Sequence, residues 1–363
     1  MFSGQHAADR DIRELRPPTK PSVLSHLRRV GFQSSPRRLA ALLCGLFLTL
    51  VGSANYLFNL DEPRGPYWDE NYYLTAVARY AEGRPQFASH PPLGLMLLTL
   101  GDHLTGANRT VDLNDLAWVK MVGDIKLPAD YQIWSVRLAS ALFGLAIILT
   151  VYAVLLTAGF EPVAAAAVAA LVAFETAFIV QFRAAQLDAF QMEFALVSVG
   201  FMIVAARRGP GDRRALLFAG AGIAAGAAMM VKLDGALLAA GPVTLLLMSL
   251  SPFWRSARAW ARATWEGSAF ALTLMATVAS VYCVQTLWRH KPLDFGSPAA
   301  AVDARFMSMT YQHYLDGRRP WSPNVLAAAM RDSFAFMLND QAGIGLSDPN
   351  GSSPWLQPLG VKP

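Results

Sequence analysis

The chain has few charged residues and almost no cysteine. Of its 363 residues, 16% are Asp, Glu, Lys or Arg, against about 25% in a typical soluble protein. Both cysteines, Cys44 and Cys283, lie inside apolar runs, which argues against a disulfide framework or a cysteine metal cluster. The net charge of +5 is not gathered into a basic stripe interleaved with aromatic residues, so the sequence gives no sign of a nucleic-acid partner.

Long apolar runs are abundant instead. Hydrophobic residues make up 54% of the chain, and several runs approach the 18 or so uncharged residues that cross a bilayer as a helix. The sequence therefore predicts an all-α polytopic membrane protein with about seven transmembrane helices. The predicted spans are residues 39–57, 133–158, 162–182, 187–206, 215–231, 235–250 and 267–287.

The arginines predict how these spans are oriented. Three arginine-rich stretches precede span one, separate spans four and five, and separate spans six and seven, so seven spans place all three on one side. That side is predicted to be cytoplasmic, because short cytoplasmic loops are rich in Lys and Arg. Residues 58–132 and 288–363 then lie on the periplasmic or outer face of the inner (plasma) membrane. The arginines are Arg28, Arg29, Arg37, Arg38, Arg207, Arg208, Arg213, Arg214, Arg255, Arg258 and Arg262.

The chain divides into three predicted regions. Residues 1–38 are polar, contain no cleavable signal peptide and are expected to form a disordered cytoplasmic tail. Residues 39–287 form the membrane module, and residues 288–363 form the last outer region. Within the first outer loop, 93–104 is apolar but too short to span, so it is predicted to lie on the outer membrane surface. A second short helix is predicted at 71–82.

Several polar residues lie where chemistry is plausible. The acid pair Asp69-Glu70 directly follows span one and can bind a cation, accept a proton or cap a helix. His90 precedes a helix start, and the residues alone favour a structural role for this segment, as a helix start with a capping residue. Arg137, at the outer end of span two, can reach the headgroups or hold a phosphate with its bidentate fork of donors. Four more charges are predicted at outer span ends, beside the two outer loops: Arg183, Asp188, Lys232 and Asp234.

These residues form an ordered series that resembles the GT-C glycosyltransferases, most closely the bacterial-type protein O-mannosyltransferases. The series begins with YWDE at 67–70 and HPPLG at 90–94 and continues with RLxSALxG at 137–144. Further along come RxxxLD at 183–188, GxxxG at 222–226 followed by Lys232, YxH at 311–313 and SxPWxxPL at 352–359.

The resemblance implies a donor, a reaction and roles for residues. The donor is a polyprenyl-phosphate sugar, and its sugar, expected to be mannose, moves to a protein Ser or Thr hydroxyl on the outer face with inversion. Asp69 and Glu70 match the catalytic acids, and Arg137 with Lys232 would hold the donor phosphate. The site-lining residues implied are His90, Arg183, Asp188, Asp234, His313 and Trp355. No metal ligand set is predicted, and the cofactor is left open because the acid pair could bind a divalent cation.

Two alternatives stay open at this stage. The same chemistry can act on a glycolipid or an envelope polysaccharide, or the chain can be a non-catalytic subunit that binds the carrier. The chain stops at Pro363, where such enzymes continue through several more spans. We therefore expect a fragment, a shortened enzyme, or a protein that works with a second chain supplying those spans.

Overall fold

The structure is a computed structural model, and it describes residues 35–84, 87–208, 212–251, 254–288, 291–296 and 298–344. All regular secondary structure in these ranges is helical, which agrees with the predicted fold class. The α-helices are α1 Ser35–Leu57, α2 Glu70–Ala81, α3 Pro92–Thr105, α4 Ile133–Ala158, α5 Pro162–Phe174, α6 Thr176–Arg183, α7 Asp188–Arg207, α8 Asp212–Val231, α9 Ala240–Leu250, α10 Ala257–Leu287, α11 Pro298–Ala304, α12 Met309–Leu315 and α13 Pro323–Ile344.

The described helices confirm a multi-pass membrane protein. Six of them are long and apolar enough to cross a membrane, and α5 with α6 gives a seventh if this bent pair is one span. The pair was predicted as one continuous helix, but it bends by 61°. The bend follows Glu175, whose extended backbone interrupts the helix and whose side chain accepts a hydrogen bond from the Ala177 amide at 3.2 Å. That local cap stabilises a new helix start inside the apolar run.

Three boundaries also differ from prediction. The first span begins at Ser35, so residues 35–38 belong to α1 rather than to a disordered tail, while residues 1–34 lie outside the described part of the chain. The sixth span opens as a 3-10 helix, Leu233–Ala239, before α9. The seventh starts at Ala257, ten residues before the predicted start at 267, because its first turns are amphipathic rather than apolar and hydropathy alone misses them.

Side-chain contacts fix which helix ends lie together. Two hydrogen bonds show that helices α4 and α7 run in the same direction. Ser140 donates to the Gln186 carbonyl at 3.0 Å, and Thr150, ten residues after Ser140, donates to Glu193, seven residues after Gln186, at 2.7 Å. The start of α1 meets the end of α4, where Arg37 donates to the Phe160 carbonyl at 3.3 Å. Arg37 therefore lies at the end of the bundle opposite Arg137.

The two helices predicted between the first and second spans are present as α2 and α3. Pro92 opens α3, where its missing N–H is not needed, and Gly106 ends it with a φ of +66°. Helix α3 was predicted to lie on the membrane surface, but it also packs against other helices. Leu95 and Leu98 are buried in the core that α3 shares with α2, α4 and α8. At its far end Asp102 accepts a hydrogen bond from Asn108 at 2.7 Å.

The region after α10 contributes helices that the hydropathy pattern did not predict. Helix α13 packs against α10 and α12, and Phe334 meets the Tyr282 ring at a centroid distance of 5.7 Å. The ring of Phe87, in the connection before α3, packs edge-on against Phe336 at 5.7 Å. Helices α11–α13 thus cover the connection that leads into α3.

Small residues allow α8 and α10 to pack closely. A Cβ atom on Gly222 would overlap the Phe270 carbonyl and the Thr273 hydroxyl, and one on Gly226 would come within 2.9 Å of the Leu274 carbonyl oxygen. In lipid, where helices associate through packing rather than through the hydrophobic effect, such glycines set the approach distance.

We expect Gly222→Ala to destabilise the bundle by about 1–3 kcal/mol, since the α10 backbone cannot move aside without separating the helices. The measurement is the apparent melting temperature in detergent. Gly45→Ala is the matched control, because its Cβ would meet only Tyr152 at an ordinary 3.7 Å. Equal melting temperatures for the two variants would contradict the packing role.

Candidate active site

The two residues of the acid pair point in different directions, and Glu70 points inward. Its side chain is fully buried and forms a two-point ion pair with Arg137, at 2.8 Å from Nε to Oε1 and 2.7 Å from Nη2 to Oε2. The same carboxylate accepts hydrogen bonds from the backbone amides of Tyr67 at 2.7 Å and Ala185 at 2.6 Å. Glu70 thereby joins the start of α2, the start of α4 and the turn between α6 and α7.

Arg137 uses its remaining donors on the loop that follows α1. Nη1 donates to the carbonyls of Leu60 at 3.0 Å and Pro63 at 2.8 Å, and Nη2 donates to Gly65 at 3.0 Å. All five guanidinium N–H groups are therefore occupied by protein, and the side chain is only 2% exposed. This geometry speaks against the predicted role of Arg137 in holding the donor phosphate, and the burial of Glu70 speaks against its predicted role as a second catalytic acid.

Asp69 is the member of the pair that remains free. It precedes α2, yet its side chain makes no capping hydrogen bond, so the helix-cap alternative does not describe it. The carboxylate is half-buried. Burial raises the pKa of Asp69 above the usual value, and the negative charge of Asp188 raises it further, whereas His90 and Lys232 act in the opposite direction. A partly desolvated carboxylate with a raised pKa is suited to accept a proton near neutral pH.

Three of the predicted charged residues lie near Asp69, at the starts of α7 and of the 3-10 helix: Asp188, Lys232 and Asp234. Lys232 Nζ lies 2.6 Å from Asp188 Oδ1, and both side chains are partly exposed. Gln181 donates to the other oxygen of Asp188 at 3.1 Å. Gln191 donates to Asp234 at 2.5 Å. The two glutamines were not among the predicted site residues, and no motif in the sequence marks them.

His90 completes this polar group from the side of α3. Its ring lies 6.3 Å from that of Tyr73, and its Nδ1 atom is buried without a hydrogen-bond partner in the described residues. Burial lowers the pKa of His90, and the positive charge of Lys232 lowers it further, whereas the neighbouring carboxylates of Asp188, Asp69 and Asp234 act in the opposite direction. Next to it, the Ser89 hydroxyl donates to Asp340 of α13.

A groove of about 650 Å³ opens next to this polar group. Asp188, Gln181, Gln191 and Asp234 form its polar rim. Its walls are apolar and come from α6, α7 and the 3-10 helix: Phe178, Phe182, Met192, Ala195, Leu237 and Leu238. A polar head attached to an apolar chain matches this distribution of side chains.

Comparison with known proteins places this site in a family. The sequence model of the dolichyl-phosphate-mannose-protein mannosyltransferases matches residues 46–291, more than half of the chain. The chain belongs to this mannosyltransferase family. Every residue of the polar group, from Asp69 to Asp234, lies within the matched range.

Individual members of the mannosyltransferase family are similar over shorter stretches. Protein O-mannosyl-transferase 1 of Rattus norvegicus is 31% identical over 154 residues, which is 42% of this chain and 20% of that protein. The Homo sapiens protein of the same name is 30% identical over 154 residues, with the same coverage of 42% and 20%. The chain thus spans about a fifth of the length of these curated relatives.

A solved mannosyltransferase structure shares the fold. The S. cerevisiae protein O-mannosyltransferase Pmt1-Pmt2 complex bound to the sugar donor superposes with a TM-score of 0.65 at 19% identity. The alignment covers 82% of this chain and 38% of the yeast chain. This likeness establishes the GT-C arrangement of helices.

The other predicted site residues lie apart from Asp69 or outside the structure. Arg183 donates to the carbonyls of Asn55 at 3.0 Å and Asn59 at 2.9 Å, and so holds the end of α1. His313 lies in α12, in the region packed around Phe87, and no contact among the described residues links it to the polar group. Trp355 lies outside the described residues. Within the ranges described, no group of three His, Cys, Asp or Glu side chains is arranged to hold a metal.

Proposed function

We propose that this chain transfers mannose from a polyprenyl-phosphate carrier to a Ser or Thr hydroxyl of a protein, with inversion. Asp69 takes the proton of the acceptor hydroxyl as its oxygen attacks the anomeric carbon. The bond between that carbon and the phosphate oxygen breaks, and polyprenyl phosphate leaves with the electron pair. The observation that carries the proposal is the Asp69 carboxylate, which makes no capping hydrogen bond and lies near His90 and Lys232. Lys232 pairs with Asp188, which lines the apolar groove.

The fixed ion pair behind Asp69 supports this reaction. Glu70 and Arg137 hold the loop after α1, the start of α2 and the turn before α7 in one arrangement. A base that must meet a sugar and an acceptor gains from such a rigid support, because small misplacements of reacting groups cost large factors in rate. Glu70 and Arg137 are therefore positioning residues in this proposal.

The donor fits the groove on its membrane side. We assign the polyprenyl chain to the apolar walls formed by Phe178, Leu237 and Leu238, of which Leu237 is 78% exposed and offers apolar surface to a lipid chain. Lys232 pairs with Asp188 of this rim, and we assign Lys232 to the leaving phosphate, whose developing charge it stabilises. Asp188 is its partner when the donor is absent.

The proposal is tested by supplying membranes that contain the chain with radiolabelled polyprenyl-phosphate mannose and a Ser/Thr-rich peptide. The proposed function requires label on the peptide that survives removal of lipid and is released by α-mannosidase. Label in a glycolipid or polysaccharide fraction instead would replace the protein acceptor by an envelope glycan. No transfer to any acceptor, with donor still bound, would reduce the chain to a carrier-binding subunit.

We further propose that Asp69 and the first outer loop face the outside of the plasma membrane, with the arginine-rich ends in the cytoplasm. The motivating observation is that Arg37 and Arg137 lie at opposite ends of the bundle. Reporter fusions at Thr110 and Gly211 are expected to give periplasmic and cytoplasmic signals respectively. A cytoplasmic signal at Thr110 would overturn this orientation.

A further inference from the structure

Trp68, immediately before Asp69, has an unusual backbone and an unusual environment. Its φ is +51°, one of two positive values among the described residues other than glycine, and a bulky side chain is rarely found there. Its indole is 74% exposed and makes no hydrogen bond to any described residue. The largest side chain in the loop therefore adopts a strained backbone without contributing to the packed core.

The strain follows from how the turn is held. The Glu70 amide donates to the Tyr67 carbonyl at 3.0 Å, which closes a four-residue turn with Trp68 and Asp69 at its centre. A positive φ at the first central residue, with −74° and −2° for φ and ψ at the second, is the pattern of a type II′ turn, where glycine is the usual first residue. The buried Glu70 side chain fixes both ends of this turn, so Trp68 cannot relax without breaking the ion pair with Arg137.

Strained residues persist mainly where a function retains them. Glycine at this position would remove the strain and would lose no packing, yet the chain carries tryptophan. We infer that Trp68 is a substrate-contacting residue whose indole forms an apolar platform for the acceptor polypeptide beside Asp69. The inference rests on the proposed function for the role of Asp69 and adds a residue that selects the acceptor.

The position of Trp68 outside the groove assigned to the donor favours the acceptor as its partner. That groove is lined by Asp188 and Asp234 and not by Trp68. Adjacent Cα atoms are about 3.8 Å apart, so a chain that presents a hydroxyl to Asp69 also meets the neighbouring indole. Tryptophan contributes a large apolar area with few rotatable bonds, which makes it a common anchor for a polypeptide.

The experiment measures peptide affinity and stability in the same variants. The probe is a fluorescein-labelled Ser/Thr-rich peptide, and its binding to the detergent-solubilised full chain is followed by anisotropy. We expect Trp68→Gly and Trp68→Asn to raise the apparent melting temperature by about 2 °C or more, because both residues tolerate a positive φ. The same variants should weaken peptide binding by about 10-fold or more, whereas Trp68→Phe keeps the affinity within about threefold and the wild-type melting temperature.

Phe58 supplies a matched control, because it lies in the same connection and is also 74% exposed. Phe58→Ala is expected to leave peptide binding unchanged. Wild-type peptide affinity in Trp68→Gly would overturn the inference. An equal loss of peptide affinity in Phe58→Ala would also overturn it, because both rings would then be general interfacial anchors. A lower melting temperature in Trp68→Gly would also overturn it, since the indole would then be packing. If the wild-type chain transfers no mannose, the proposed function fails, while the binding measurements still decide the role of Trp68.

Discussion

Asp69→Asn is expected to lower the rate of mannose transfer by at least about 10²-fold, the lower end of the contribution of a general base. The amide has nearly the size of the carboxylate but cannot take the acceptor proton. Because the Asp69 side chain makes no capping hydrogen bond, the substitution removes no structural contact, and the chain should fold and insert normally. The measurement is initial transfer rate at saturating donor, normalised to the amount of folded protein.

The pH dependence gives a second readout on the same residue. Burial raises the pKa of Asp69, so the base form is lost as the pH falls through this raised value, and the transfer rate should fall on the acid side of neutrality. The sign for stability is the reverse: a carboxyl with a raised folded-state pKa binds its proton more tightly when folded, so its ionised form is unfavourable at neutral pH. Asp69→Asn is therefore expected to leave the melting temperature unchanged or slightly higher.

The controls separate catalysis from folding. Asp61 lies in the same loop and its side chain makes no hydrogen bond or ion pair to the described residues, so Asp61→Asn is expected to transfer mannose at the wild-type rate. A wild-type rate in Asp69→Asn would remove Asp69 from the reaction. An acid limb in the pH profile that survives the substitution would assign the titrating group elsewhere.

Arg137→Ala is expected to destabilise the fold by about 3–5 kcal/mol, because it leaves the buried carboxylate of Glu70 without its counter-charge. The three carbonyl oxygens of Leu60, Pro63 and Gly65 would lose their donors as well. Arg137→Lys should recover little, because an ammonium cannot reproduce five donors in a planar fork. The measurement is the yield of monodisperse protein in detergent and its apparent melting temperature.

The matched comparison is Lys232→Ala, which removes a cation from a partly exposed ion pair and should leave the fold intact. Under the proposed function, Lys232→Ala weakens binding of the polyprenyl-phosphate donor. Arg137→Ala instead lowers the yield of folded protein, so that little remains to bind the donor. A well-folded Arg137→Ala variant with specifically reduced donor affinity would contradict the positioning role and restore the phosphate contact that the sequence suggested.

Much of the architecture could be predicted from the sequence, because lipid imposes a simple rule. A backbone in hydrocarbon must satisfy its own hydrogen bonds, so each long apolar run becomes a helix. The six long helices, the bent pair and the two helices between α1 and α4 overlap the segments predicted for them, although the first and seventh spans begin earlier than predicted. Polar residues are rare in such a chain, and so the sequence alone was enough to select Asp69, His90, Asp188, Lys232 and Asp234 as candidates.

Only the tertiary structure decided which groups each polar residue contacts. Asp69 and Glu70 are chemically alike and adjacent, yet one is free and the other is buried against Arg137. The break at Glu175, the packing of α13 beside Ser89 and the strained turn at Trp68 were likewise absent from the pattern. The physical reason is that a sequence pattern reports local propensity and average polarity, whereas burial, pairing and strain depend on groups brought together from distant parts of the chain.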